Sequence, residues 1–109
     1  MNDDDVKVLG DDLLEWKKLL DTIYNDEEKL SKMDDDYKKQ EMHILQTTNF
    51  EKLYNGRNNE KIRKAHVKKS LKALVDEKEN LELKIEHNKR MVSFLKAAVY
   101  RKTELMRLK

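Results

Sequence analysis

The residues best suited to binding a ligand form a basic run between positions 57 and 72, called here the basic segment. Steps of three or four residues bring side chains to one face of a helix, and most of these cations follow such steps. A basic stripe of this kind can bind the phosphates of a nucleic acid with salt dependence and without base specificity. The candidate nucleic-acid contacts are Arg57, Lys61, Arg63, Lys64, Lys68, Lys69 and Lys72.

A simpler interpretation of the basic segment is that its cations keep a long helix hydrated and pair with an acidic helix elsewhere in the chain. The aromatic residue close to it is Tyr54, so stacking of single-stranded bases is weakly indicated. Both interpretations stay open at the level of the sequence.

Residues that could support catalysis or metal binding are few and poorly spaced. His43, His66 and His87 form no pair three or four residues apart, and the chain has no cysteine, so we expect no zinc site. Gly56 alone cannot form a phosphate loop, which needs several glycines. The aspartates at positions 34–36 point about 100° apart on a helix and cannot converge on one cation. We therefore predict a protein that is not an enzyme, with no catalytic residues, no cofactor, no metal and no small-molecule substrate.

Composition indicates that long helices position these side chains. Charged residues make up 42% of the 109-residue chain and hydrophobic residues 38%, with two glycines and no proline. Few turns can be built without these two residue types. The prediction is a single all-α domain, a long helical hairpin with heptad, coiled-coil-like packing that dimerises into a helical bundle.

The first half of the chain predicts an acidic tail followed by an acidic helix. Residues 1–10 are expected to be a flexible tail, and Asp12 with Glu15 has the spacing of a capping box that begins a helix over 11–46. A break near Asn25, which could cap a new helix, is the alternative. Apolar residues repeat every seven positions in this helix. Its predicted seam is Trp16, Leu19, Ile23, Leu30, Met33, Tyr37 and Ile44.

The second half predicts a turn and then a long basic helix. Residues 47–58 are expected to hold one short helical turn, capped by Thr48 and ended by a left-handed Gly56. Asn58 or Asn59 can cap the helix predicted over 59–109. Its seam alternates by four and three residues and includes two lysines. The predicted apolar and amide members are Val67, Leu71, Leu74, Leu81, Ile85, Asn88, Val92, Leu95, Val99 and Met106.

Two further features predict association. Beyond residue 90 the apolar face widens, and a wide face needs more than one neighbouring helix, so we expect a homodimer. Asn88 is either a buried amide that determines register or a solvated residue at the edge of the seam. Residues 1–46 carry 7 Lys/Arg and 14 Asp/Glu, whereas residues 47–109 carry 17 and 8. Opposite charge favours an antiparallel pairing of the helices, or two surfaces for different partners.

The stretch NGRNNEKIRKA, from Asn55 to Ala65, followed by a heptad helix, resembles short helical proteins encoded by phages and prophages of Gram-positive bacteria. The resemblance covers about residues 50–109, in a group that mostly lacks an assigned activity. It implies a phage setting and a helix-initiating role for Asn58. Small early phage proteins often act on host machinery or defences, or assist phage DNA replication and recombination.

Three functions follow in order of preference. The first is a phage-encoded interaction protein that binds a host or phage DNA-processing or defence protein through charged helix faces. The alternative is a nucleic-acid-binding accessory protein for replication, recombination or DNA-end protection, and the third is an assembly scaffold. The expected partners are a second copy, another protein and, in the alternative, nucleic acid, with no membrane. An acidic start and the lack of a long apolar stretch predict the cytoplasm, that of the host for a phage protein.

Overall fold

The protein is all-helical, as predicted. A computed structural model describes the backbone of residues 3–108 and the side chains of residues 6–108, and it contains no strand within that range. The helices are α1 (Asp3–Thr47), α2 (Phe50–Leu53), α3 (Glu60–Ser70) and α4 (Lys72–Arg107). Two compact units can be described separately. Unit 1 combines the chain up to residue 28 with the chain from residue 82, and unit 2 is residues 29–81.

Unit 1 is an antiparallel pair made by the first part of α1 and the second part of α4. Ile23 and Ile85 are its buried apolar residues. Lys102 forms an ion pair with Asp12, and Lys89 Nζ lies 2.8 Å from Glu27 Oε1. The later residue of α1 pairs with the earlier residue of α4, so the two helix segments run in opposite directions.

Unit 2 has a small core built around the connection between the helices. Phe50 and Val67 are its most buried residues, with 4% and 2% of their surface exposed, and Met33 and Leu71 complete the core. At its edge Lys78 forms an ion pair with Asp34, and its Nζ lies 4.9 Å from the centre of the Tyr37 ring. A lysine at a seam position is therefore stabilised by a carboxylate and an aromatic face together.

The predicted acidic tail is wrong from residue 3 onward, because α1 already includes Asp3 to Gly10. Residues 1 and 2 lie outside the described part of the chain. A single helical glycine costs about 1 kcal/mol relative to alanine, which a long helix tolerates. Asp12, predicted as a cap, lies inside the helix and pairs with Lys102 instead. The alternative break near Asn25 does not occur, since α1 continues through it to Thr47.

The connection between α1 and α3 uses other residues than those predicted. Asn49, not Thr48, caps α2, because its Oδ1 accepts a hydrogen bond from the Lys52 backbone N–H at 3.1 Å. Asn55 has a φ of 54° and is the first left-handed residue after the helix, and Gly56 follows with a φ of 85°. The Gly56 N–H donates to the Glu51 carbonyl at 2.7 Å, a hydrogen bond that closes the helix end.

The start of α3 explains both asparagines of the NGRNN stretch. Asn59 is the cap, with its Oδ1 accepting from the Ile62 backbone N–H at 2.9 Å. The resemblance implied that Asn58 begins the helix, and this prediction is wrong. Its Oδ1 instead accepts a hydrogen bond from Arg63 Nη1 at 2.7 Å. Only one of two adjacent side chains can reach the free amide groups of the first turn, and the other is left to bind a side chain one turn along.

The single helix predicted over 59–109 is two helices, α3 and α4, separated at Leu71. Leu71 has non-helical angles, with φ at −106° and ψ at 25°. Its N–H still donates to the Val67 carbonyl and its carbonyl accepts from Val75, both at 2.9 Å. The deviation is therefore a local distortion at a buried core residue, and heptad spacing carries no signal for it.

The residues of the predicted seam lie on the less exposed side of their helices. Ile23, Met33, Val67, Leu71 and Ile85 are buried. The others are half-buried: Trp16, Leu19, Leu30, Tyr37, Ile44, Leu74, Leu81, Asn88, Val92, Leu95, Val99 and Met106.

The two glycines are expected to respond to alanine with opposite signs. Gly10→Ala should raise the free energy of unfolding by about 0.5–1 kcal/mol, because an added Cβ meets nothing within 4 Å in a helix interior. Gly56→Ala should lower it by about 1–2 kcal/mol, because its backbone is left-handed. Urea denaturation measures both. The control is Asn55→Gly, which should be neutral or slightly stabilising at the neighbouring left-handed residue. Loss of stability in Gly10→Ala would contradict the helical assignment of residues 3–10.

Candidate functional site

The cations of the basic segment lie in unit 2, on α3 and at its two ends. Arg57 lies in the loop before α3, Lys61, Lys68 and Lys69 lie on α3, and Lys72 is the first residue of α4. All five side chains are exposed, and none has an ion pair or hydrogen bond to the described part of the chain. Five of the seven predicted contacts are thus available to a ligand.

The other two predicted contacts have partners within the segment. Lys64 Nζ lies 2.9 Å from Glu60 Oε1, one turn earlier on α3. The hydrogen bond to Lys64 lowers the pKa of the Glu60 carboxyl, and the same bond raises the pKa of the Lys64 ammonium. Arg63 is held by Asn58, as described above. Arg63 and Lys64 therefore contribute charge to this surface but are less free to rearrange around a ligand.

The acidic helix does not neutralise the basic segment. Among residues 6–108, no α1 carboxylate forms an ion pair with the segment, and the pKa of Lys64 is raised first by Glu60 and to a smaller extent by the charge of Glu41 on α1. Four described carboxylates of α1 pair with α4 instead: Asp12 with Lys102, Asp26 with Lys84, Glu27 with Lys89 and Asp34 with Lys78. Within the segment itself, seven cations face one acidic residue.

A shallow groove borders the basic segment where the backbone deviates at Leu71. It has a volume of about 490 Å³, and Lys68, Lys69 and Lys72 lie along it. Asp76 and Glu79 lie at its α4 end. An anionic ligand is therefore favoured on the α3 side of the groove and repelled on the α4 side.

An aromatic cluster holds the basic segment against the core, and sequence analysis missed it. The Tyr54 hydroxyl and His66 Nδ1 are 2.7 Å apart and share a hydrogen bond. The Phe50 ring meets the His66 ring edge-on at 5.3 Å and stacks with Tyr54 at 6.3 Å. These residues come together across the turn, so no periodicity could have indicated the contact. Because Tyr54 is engaged here, it does not offer a free ring for base stacking.

Unit 1 carries an open apolar groove, called here the unit 1 groove, with a volume of about 720 Å³. Trp16 of α1 forms one wall, and one face of α4 that includes Ala97, Val99 and Tyr100 forms the other. The indole Nε1–H of Trp16 is buried and has no hydrogen-bond acceptor among the described residues.

One carboxylate of unit 1 is poorly compensated. Lys84 Nζ lies 3.3 Å from Asp26 Oδ2, yet that oxygen is buried and accepts no well-oriented hydrogen bond from the described residues. Asn88, predicted as either a buried or an edge amide, is half-buried in the same unit. Polar groups at seam positions usually cost stability and restrict which pairings are allowed.

The side chains considered for metal binding are dispersed. His43 and His87 are exposed and His66 belongs to the aromatic cluster. Across residues 6–108 no group of three or more His, Cys, Asp or Glu side chains could hold a metal ion. None of the described helices combines the length and apolar character needed to cross a membrane.

A scan against protein-family models, a search of curated proteins and a search of solved structures each found no match for this chain.

Proposed function

We propose that the protein is a non-enzymatic accessory protein that binds the phosphate backbone of duplex nucleic acid through the basic segment. The observation that supports this best is the set of five exposed cations on α3 and at its ends that form no ion pair within residues 6–108. Lysine and arginine contacts to phosphate release counterions and bind without base specificity. An accessory role in replication, recombination or DNA-end protection requires only such a contact.

The charge distribution supports this function over a role in which the lysines only balance the charge of the acidic helix. Cations that only balanced the acidic helix would be expected in ion pairs with α1, whereas α1 uses four of its carboxylates on α4. The surrounding aromatic rings are committed to the core, which favours backbone contacts over base stacking.

A double charge reversal tests the proposal. Lys68→Glu with Lys69→Glu should weaken duplex DNA binding roughly 50-fold or more at about 0.1 M salt, because two phosphate contacts become repulsive. A gel-shift or fluorescence-anisotropy titration with duplexes of unrelated sequence measures it. The wild type should bind these duplexes with similar affinity.

The matched control is Lys38→Glu with Lys39→Glu, an adjacent exposed pair on α1 that changes net charge by the same amount. It should retain nearly full affinity. Equal losses of DNA affinity in the two variants would show that the overall charge of the protein, and not the basic segment, determines binding. A wild type that ignores DNA at low salt would reject the proposal.

The second candidate function is binding of a DNA-processing or defence protein through charged helix faces. It is favoured by the carboxylates that stay exposed on α1 outside the ion pairs with α4, which include Asp11, Glu15 and Asp21. An acidic helix face can occupy a basic cleft that normally receives phosphates. This function predicts capture of a basic protein even when DNA binding is absent.

The proposed setting follows from the resemblance and from the helices. The resemblance of residues 55–65 to phage and prophage proteins supports a phage-encoded protein that acts in the cytoplasm of its host, where the nucleic acid to be bound lies. The residues of the predicted seam are buried or half-buried, which supports coiled-coil-like packing of α1 with α4 within each unit. An assembly scaffold is the third function compatible with long helices.

A further inference from the structure

Exposed apolar side chains concentrate in unit 1 far beyond what a solvated helix pair needs. Among the side chains of residues 6–108, eleven large apolar residues with high exposure belong to unit 1 and three belong to unit 2. Those of unit 1 are Val6, Val8, Leu13, Leu14, Leu20, Tyr24, Leu83, Phe94, Tyr100, Leu105 and Leu108. Large exposed apolar patches mark interaction sites on water-exposed proteins, so a face on which these residues align is a candidate for such a site.

Helix α1 carries a second apolar stripe beside its seam. Val6, Leu13 and Leu20 are seven residues apart and are 51%, 45% and 48% exposed. Steps of three and four residues place Trp16 between Leu13 and Leu20 on the same face. The stripe therefore adjoins the Trp16 wall of the unit 1 groove, and about half of the surface of each stripe residue stays exposed.

We propose that a second copy of this chain covers the unit 1 groove, so that two copies of unit 1 form a four-helix bundle. Leu13, Trp16 and Leu20 of each copy then contact the Tyr100 face of α4 in the other copy. Such a contact is self-complementary, because each chain offers both the stripe and the groove wall. The proposal is independent of the proposed nucleic-acid binding, which uses residues of unit 2.

Charge complementarity identifies the occupant as a second copy. Residues 1–28 carry ten Asp/Glu against three Lys, and residues 82–109 carry eight Lys/Arg against three Glu. Lys96 and Arg101 line the groove together with Glu104, which pairs with Arg107, and Asp21 is exposed on α1 next to Leu20. With α1 of one copy beside α4 of the other, acidic and basic segments alternate around the bundle and both contacts are attractive.

The available area matches a stable dimer. Two adjoining helix segments of unit 1, each about 40 Å long and about 10 Å wide, present one face of roughly 800 Å². A standard protein interface buries about that area on each partner. An interface that covers the apolar stripe and the groove would have apolar residues at its centre and charged residues at its edges.

The experiment combines mass determination with the single tryptophan of the chain. Sedimentation equilibrium of the full-length protein at micromolar concentration should give twice the 13.1 kDa chain mass. Dilution should shift the emission of Trp16 to longer wavelength as the groove opens to water. Leu13→Glu with Leu20→Glu should give a monomer whose emission no longer depends on concentration. Both leucines are already about half exposed, so helix content by circular dichroism should be kept.

The matched control is Met42→Glu with Leu45→Glu, two exposed apolar residues of α1 in unit 2. This variant should stay dimeric. A wild type that sediments as one chain overturns the proposal, and if such a monomer binds the apolar dye ANS, the groove receives a different apolar ligand. A dimer that resists Leu13→Glu with Leu20→Glu also overturns it, because the interface then lies elsewhere. DNA titrations of the Lys68 and Lys69 variant report on the nucleic-acid function separately.

Discussion

Replacing Phe50 with alanine is expected to lower the free energy of unfolding by about 3–5 kcal/mol, the range for a buried phenylalanine. Phe50 is 4% exposed and is the largest apolar side chain in the core of unit 2. Its removal leaves a cavity and also deletes the ring contacts to Tyr54 and His66. The small core offers few other side chains to fill the space, so the cost should lie high in this range.

Urea denaturation followed by far-UV circular dichroism measures the change. The control is Leu53→Ala on the same short helix, where a 56% exposed side chain should cost less than about 0.5 kcal/mol. The basic segment depends on this core for its position, so Phe50→Ala should also weaken DNA binding as the folded fraction falls. Equal small losses in the two variants would show that the turn is not anchored by the aromatic cluster.

Salt is expected to change DNA affinity more than any single substitution on the surface. Five phosphate contacts predict a slope near −4.5 for the logarithm of affinity against the logarithm of salt, so raising salt from about 50 to 200 mM should weaken binding about 500-fold. The contacts counted are Arg57, Lys61, Lys68, Lys69 and Lys72, which have no partners in the described chain. Anisotropy titrations at several salt concentrations measure the slope.

Single substitutions then test how many contacts exist. Lys61→Ala should reduce the slope by about one unit and weaken all duplex sequences equally. Lys64→Ala should change it less, because Glu60 already holds that ammonium. A slope near zero for the wild type would exclude backbone binding and leave the protein-binding function as the better explanation.

The fold class could be predicted because helix periodicity is a local property. Apolar residues spaced by three and four, with two glycines and no proline, admit few structures besides long helices. The limits of the helices were predicted less well. Asp12 looks like a cap in sequence but lies within α1, since a helix can continue through Gly10 at small cost.

The sequence predicted which cations belong to the candidate site, but not which of them are free of partners and available to a ligand. All seven cations could be named from their spacing, yet Arg63 and Lys64 proved to have partners in Asn58 and Glu60. Which of two adjacent asparagines caps α3 depends on backbone angles that sequence does not show. The second apolar stripe at Val6, Leu13 and Leu20 had a seven-residue signal that the stronger seam obscured.

By itself the sequence determined that this chain forms helices, which faces of them are apolar, and that its two halves carry opposite charge. These properties depend on neighbours within one or two helical turns. Only the tertiary structure decided that α1 carboxylates pair with α4, that Tyr54 and His66 meet across the turn, and that Leu71 separates α3 from α4. The first two join residues distant in the chain, and the third occurs at a buried core residue, so all three depend on how the helices pack and not on the spacing within one helix.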